Sequence, residues 1–201
     1  MNKLKLKKYL KAPIFIAEEE IPVFCHFVSL AENILVDVGA GWGTSAFLML
    51  VNAPQDALIF SIDSFIGDTI KPWKRATEKM CRENVERALT TIGKIDALQR
   101  WKLLPQSSHQ IITHWNQEVD LVYIDGDHLY KGVKQDFKDW FKFVKLGGII
   151  LIHDSRRVSG VSAEIFARGW PGPTQLAQEL KKQKDINLVN ETFSLTIWEK
   201  K

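Results

Sequence analysis

The sequence predicts a doubly wound α/β fold, one mostly parallel sheet with helices on both faces, and three observations carry that reading. Strand and helix patterns alternate about five times along the chain. Most strands read as continuous apolar runs, as strands buried on both faces do, and not as alternating ones. The unusual polar residues fall at the carboxyl ends of those strands, the edge where open α/β sheets bind ligands: Asp37 and the glycines after it, Asp63, Asp125 to His128, and His153-Asp154.

The first strand is predicted over 33–38, where Ile34, Leu35, Val36 and Val38 surround one acid and the run stops at Gly39-Ala40-Gly41-Trp42-Gly43. A helix follows over 44–51. The second strand spans 57–62 and ends at Asp63; the long helix after it carries Cys81, Val85, Ala88 and Ile92 at helical spacing, with Gly93 as its stop. Residues 101–104 make a weaker third strand. Val119 to Ile124 is a clear strand that breaks abruptly into Asp125-Gly126-Asp127-His128. Leu129, Val133, Phe137, Trp140 or Phe141, and Val144 then recur at three- and four-residue steps, an amphipathic helix closed by Lys145-Leu146-Gly147-Gly148. Ile149 to Ile152 is the next strand and ends in His153-Asp154. Beyond an irregular stretch from Ser155, residues 171–182 read as a helix, and 186–190 and 193–199 as a final pair of strands.

A chain of 201 residues suits one domain over 1–201, with 1–20 as an N-terminal extension. Its 45% hydrophobic and 25% charged content excludes collagen-like, low-complexity and wholly disordered classes. The apolar run 147–152 is far short of the roughly 20 residues a bilayer span needs, and the basic start is not followed by the apolar core of an export signal. The expected location is the cytoplasm, with no membrane partner. Cys25 and Cys81 form neither a disulfide framework nor a CxxC metal site and read as buried thiols. The net charge of +3 owes much to Lys3, Lys5, Lys7, Lys8 and Lys11, which read as a solvated terminus, so nucleic acid is not an expected partner.

Gly39, Gly41 and Gly43 remove side chains where the chain turns from strand to helix, which lets a ligand approach the backbone amides and the positive end of the following helix. A tight turn without a ligand has the same pattern. The spacing is GxGxG; a dinucleotide fingerprint would place its third glycine at Thr44. Asp63, 26 residues after Asp37 and at the end of the second strand, is placed either to accept hydrogen bonds from a ribose diol or to cap the next helix. Ser107 and Ser108 follow the third strand, where a hydroxyl meets an adenine edge or caps a helix. Trp42, Trp73 and Trp170 suit a cleft lining or the core. The stretch 155–172, with Arg156, Arg157 and Arg168, has the length of a substrate loop.

Together these residues resemble the class I S-adenosylmethionine-dependent methyltransferases, a Rossmann-like fold, and most strongly methyltransferase family 24, which is similar to macrolide-sugar and caffeoyl-coenzyme-A-type O-methyltransferases. The resemblance rests on Val36-Asp37-Val38-Gly39-Ala40-Gly41-Trp42-Gly43-Thr44-Ser45, on Ile62-Asp63-Ser64-Phe65 with Gly67-Asp68, on Tyr123-Ile124-Asp125-Gly126-Asp127-His128, and on Gly147-Gly148 with His153-Asp154. It implies an antiparallel strand at the C-terminal edge of the sheet. It also implies S-adenosyl-L-methionine as cofactor: Asp37 and the loop Gly39, Ala40, Gly41, Gly43 and Thr44 at its methionine part, Asp63 and Ser64 at its ribose, the Ser107 region at its adenine, and Asp125 beside it.

Asp125, His153 and Asp154 match the positions where metal-dependent relatives bind a divalent ion, which would be Mg2+ or a similar hard cation. Those relatives carry two oxygen side chains where this chain has His153 and Asp154, and histidine favours softer metals or leaves the ion to the two aspartates. His128 completes a D-x-x-H arrangement and matches the general base of sugar O-methyltransferases. An alcohol acceptor must lose its proton, and an imidazole suits that task; capping the helix after Asp127 is the plainer role. The expected activity is therefore O-methylation of a small molecule such as a sugar or polyhydroxylated metabolite. A NAD-dependent oxidoreductase on a related fold and a non-catalytic cofactor-binding module are the alternatives. An apolar helix face reads the same whether it covers the sheet or meets a second copy, so a homo-oligomer stays open.

Overall fold

The structure, a computed structural model, describes residues 3–66, 76–160 and 171–201. Gly67, Asp68, Trp73, Arg168 and Trp170, singled out in the sequence, lie outside the described residues. In chain order the elements are α1 (Lys3–Tyr9), α2 (Glu20–Leu30), β1 (Ile34–Val38), α3 (Thr44–Asn52), β2 (Leu58–Ile62), α4 (Glu78–Thr91), a 3-10 turn (Ile95–Arg100), β3 (Trp101–Leu104), α5 (Ser108–Ile112), β4 (Val119–Ile124), α6 (Tyr130–Phe141), β5 (Val144–Ile152), α7 (Pro171–Leu180), β6 (Ile186–Thr192) and β7 (Leu195–Lys200).

The strands form one seven-stranded sheet in the order β3-β2-β1-β4-β5-β7-β6. β1 to β5 pair in parallel, while β7 runs antiparallel to both β5 and β6. Strand order reverses between β1 and β4, so their carboxyl ends bound the crevice in which such folds bind ligands. Adjacent residues of one strand feed opposite faces. Leu35, Tyr123 and Leu151 pack with Phe24, Phe47 and Val85 of α2, α3 and α4, whereas Val36, Val122 and Ile150 pack with Val133, Phe137 and Leu176 of α6 and α7. This two-sided burial is why the strands carry unbroken apolar runs. The first twenty residues supply Leu6, Leu10 and Ile16 to the first of these cores, and the lysines of α1 project between them.

Two readings of the sequence need correction. Lys145-Leu146-Gly147-Gly148 does not close a helix: β5 starts at Val144, which pairs with Val119, and a register shift follows before Leu121 pairs with Ile149. Gly147, at φ 74°, takes the left-handed conformation this irregularity needs, and a Cβ at Gly148 would lie 2.8 Å from the Lys145 carbonyl. Phe193 is not in a strand but at φ 51° in the two-residue turn that joins the Thr192–Leu195 pair of the closing hairpin. Among the described residues no helix is long and apolar enough to cross a membrane.

Candidate active site

The parallel register brings the polar strand ends together. The Asp125 amide donates to the Val38 carbonyl at 2.8 Å, the His153 amide to the Ile124 carbonyl at 3.0 Å, and the Gly39 amide to the Ile62 carbonyl at 2.8 Å. These bonds continue the ladder past the last paired residues and fix the glycine loop, Asp125 and His153 side by side.

The three glycines do different work. A Cβ at Gly39 would lie 2.2 Å from the Asp125 carbonyl oxygen, and one at Gly43 would lie 2.6 Å from Val85 Cγ2, so both are required by packing within the chain. Gly41, at φ 47°, faces open space, with nothing nearer than 4.0 Å to an added Cβ. It is the position where a ligand can approach the backbone. Ala40 is buried and Thr44 opens α3, whose N-cap, Gly43, supplies no side-chain hydrogen bond and whose first turn holds no acid. Its first amides therefore present uncapped donors and positive potential to the crevice.

Asp37 is fully buried in β1. Its Oδ2 accepts from Ser45 Oγ and Ser61 Oγ, both at 2.9 Å, while Oδ1 is buried with no hydrogen-bond partner. Burial pushes this carboxyl up to about 7, and the negative Asp125 and Asp63 add to the rise. Between the ordinary aspartate range and that value the folded chain holds a proton that the unfolded chain does not, so this group's contribution to stability falls as pH rises. A buried acceptor of this kind fits the ammonium end of an amino-acid ligand.

Asp63 braces the loop: its Oδ2 accepts from the Gly41 amide at 2.8 Å and its Oδ1 from the Phe65 amide at 2.6 Å. Burial raises this carboxyl and the two amides offset part of the rise. Each oxygen keeps a second lone pair for a diol. Ser64 follows, partly buried. Ser107 is the N-cap of α5 in a complete capping box with Gln110, whereas Ser108 is buried and accepts from Trp140 Nε1 at 2.8 Å. Trp42 is partly exposed and lines an open cleft of about 450 Å3 with Lys11, Met80 and Arg87.

At the ends of β4 and β5 lies a compact charged group. His128 Nε2 is 3.2 Å from Asp154 Oδ2 and 3.6 Å from Asp125 Oδ1. His128 does not cap α6, whose N-cap, Leu129, has no side-chain cap; in the turn before it Asp127 Oδ1 accepts from the Leu129 amide at 2.8 Å, and His128 is turned inward, only 6% exposed. The start of α7 presses on this turn, since a Cβ at Gly172 would lie 2.3 Å from the His128 carbonyl. Asp154 sits at φ 53°, a left-handed conformation uncommon outside glycine and found where a side chain must be aimed. His153 Nδ1 is 3.1 Å from Asp125 Oδ1, and its Nε2 is 3.2 Å from Glu20 Oε2. Burial alone would lower this imidazole, yet Asp125, Asp154 and Glu20 hold it well above the usual histidine range. Burial alone would raise Asp125 and Glu20, and the histidines beside them hold both carboxyls below their ordinary values. These directions are those of one ion-paired cluster centred on His153.

The divalent-metal expectation for Asp125, His153 and Asp154 does not fit this donor set. Both His153 ring nitrogens are already on carboxylates, Asp125 Oδ2 accepts from Tyr123 Oη at 3.2 Å, and Asp154 Oδ1 lies 3.2 Å from Ser194 Oγ. Among the described residues no group of three or more His, Cys, Asp or Glu side chains is arranged to hold a metal ion. The sequence reading missed Glu20, Tyr123, Ser61 and Ser194. Tyr123 could have been found from its place two residues before Asp125 on the same face of the strand; Glu20 lies in an acidic run with no local signal.

The profile of a methyltransferase domain family, methyltransferase family 24, matches residues 36–155, which is more than half of the chain and spans the glycine loop, Asp37, Asp63, Asp125, His128, His153 and Asp154. The chain belongs to this family. Its class I S-adenosylmethionine-dependent methyltransferase fold is shared with solved O-methyltransferases. A Bacillus cereus O-methyltransferase in complex with SAH is similar at TM-score 0.67 and 15% identity, covering 100% of this chain and 92% of that one. The O-methyltransferase TomG of Streptomyces achromogenes, involved in tomaymycin synthesis and solved with SAM, is similar at TM-score 0.64 and 12% identity, covering 100% and 91%. A Klebsiella pneumoniae protein assigned provisionally as an O-methyltransferase is similar at TM-score 0.70 and 16% identity, covering 100% and 91%. At these identities the likeness speaks for the fold.

Proposed function

We propose that this methyltransferase moves the methyl group of S-adenosyl-L-methionine to a hydroxyl oxygen of a small-molecule acceptor, a sugar or polyhydroxylated metabolite, with His128 as the general base. The observation that supports this most is the His128–Asp154 pair, 3.2 Å apart and buried at the carboxyl edge next to the glycine loop. An amine acceptor can be used from its neutral form, but an alcohol keeps its proton until a base removes it, and a carboxylate-anchored imidazole is that base. When bound, the cofactor supplies an electrophilic methyl carbon on a sulfonium.

The residues of this chain bind and orient around that carbon. The uncapped start of α3 beside Gly41 would hold the cofactor's carboxylate, Asp37 its ammonium, Asp63 and Ser64 its ribose, and the Ser107 end of β3 its adenine. Asp125, at the end of β4, would close the crevice beside the bound cofactor. Asp154, 3.2 Å from His128 Nε2, fixes the orientation of the ring. The acceptor's proton would pass to the His128 ring as its oxygen takes the methyl group and the sulfur keeps the bonding pair.

The linkage in the product tests the oxygen assignment. Isotope-labelled methyl from S-adenosylmethionine is expected in an alkali-stable ether on a polyhydroxylated acceptor, and label recovered on nitrogen or sulfur would contradict it.

A further inference from the structure

Glu20 is the least expected member of the charged group. It starts α2, more than a hundred residues from the motif, and it is 0% exposed. A buried carboxylate is costly unless its oxygens are satisfied, and these are: Oε1 accepts from the Ser194 amide at 2.9 Å and from Ser194 Oγ at 2.6 Å, and Oε2 accepts from the Ala17 amide at 2.8 Å and faces His153 Nε2 at 3.2 Å. The other ring nitrogen of His153 faces Asp125 at 3.1 Å. A neutral imidazole can donate to only one of two flanking carboxylates; an imidazolium donates to both.

We infer that His153, gripped by Glu20, is a built-in cation standing where metal-dependent relatives hold a divalent ion, and that Glu20 and His153 are positioning residues for Asp125, Asp154 and His128. The inference rests on the methyltransferase reading for what the cluster serves, while the cluster itself stands on its geometry. Without a positive charge here, Asp125 and Asp154 would repel one another at the ends of neighbouring strands. His153 Nδ1 lies 3.1 Å from Asp125 Oδ1 and 3.7 Å from Asp154 Oδ1, so one ring offsets both. Asp154 is then left to orient His128 through its other oxygen. A metal ion is held by several ligands and can be removed; this cation is covalently attached just past the end of β5 and is locked by a residue from the N-terminal side of the fold. The charge arrangement is kept and the dependence on free metal is lost.

Binding of Mn2+, a paramagnetic ion that accepts oxygen ligands, to the full-length protein tests this by electron paramagnetic resonance and calorimetry, with S-adenosylhomocysteine binding measured on the same samples. The wild type is expected to show no saturable Mn2+ site. His153→Asp, which restores an oxygen ligand and removes the cation, is expected to gain one that is lost again in the His153→Asp/Asp125→Asn double variant. Saturable binding to the wild type that disappears in Asp125→Asn would overturn the inference, as would a folded His153→Asp that gains no site. Should that variant fail to fold, nitrogen-15 resonances of the wild-type His153 ring decide: two protonated nitrogens are expected, and one bare nitrogen would overturn it. Glu20→Gln, which keeps an acceptor but loses the charge, is expected to lower kcat roughly tenfold at unchanged KM for the cofactor; an unchanged kcat would remove Glu20 from the positioning role. Absent homocysteine-cofactor binding would defeat the methyltransferase reading and leave the Mn2+ and nitrogen-15 results to stand on their own.

Discussion

His128→Ala is expected to lower turnover roughly a hundredfold or more while leaving affinity for S-adenosylhomocysteine unchanged. The separation of the two effects follows from position. His128 belongs to the turn between β4 and α6 and touches Asp154 and Asp125, whereas the groups assigned to the cofactor lie on β1, β2 and the glycine loop. Removing the ring takes away the proton acceptor without disturbing those groups, and Asp127 still holds the Leu129 amide in the turn before α6. Turnover within a few-fold of wild type would exclude His128 as the base. Loss of cofactor affinity in parallel with turnover would instead make it a structural member of the crevice.

Asp63→Ala is expected to do the reverse, weakening S-adenosylhomocysteine binding by about ten- to a hundredfold, the range for losing hydrogen bonds to a charged group. Two effects combine here. The variant loses the acceptor for the ribose diol, and it also releases the Gly41 and Phe65 amides that Asp63 holds at 2.8 and 2.6 Å. Asp63→Asn keeps one acceptor oxygen and so can hold only one of the two amides and accept a diol less strongly; it is expected to fall between wild type and alanine. Calorimetric affinities equal to wild type in both variants would defeat the ribose assignment.

Much of the fold is legible in the sequence because the signals are local. Val119 to Ile124 and Trp101 to Leu104 are strands at the bounds their apolar runs suggest, and the stop at Gly93 is a residue at φ 70°. The α6–β5 junction is less legible, since Val144 continues the apolar spacing of the helix and yet pairs with Val119. Only the sheet's register decides between the two. The N-terminal helices carry no punctuation that marks them: α1 is lysine-rich and buries only Leu6, and α2 has a glutamate where a polar terminus would be the ordinary reading.

For the site, residue types that must sit at strand ends are readable one motif at a time. Asp37, Asp63, Asp125, His128 and Asp154 all reach the same edge because parallel strands bring their carboxyl ends together. What cannot be read is which partner each finds. Gly39 and Gly43 look like ligand-facing glycines, and the packing of Asp125 and Val85 against them is a second requirement for glycine that spacing does not show. His153 looks like a metal ligand until Glu20 arrives from 133 residues away and occupies its second nitrogen. Long-range pairing of this kind leaves no trace in spacing.

The central claim, that this crevice binds the sulfonium cofactor and its product, is tested most directly by calorimetric titration of S-adenosylhomocysteine into the purified wild-type protein, with NAD as comparator and with each titration repeated in EDTA. The account predicts saturable binding of S-adenosylhomocysteine with the same affinity in EDTA and no NAD signal. Binding of NAD in preference to S-adenosylhomocysteine, or no binding of the sulfur compound in either buffer, would contradict it.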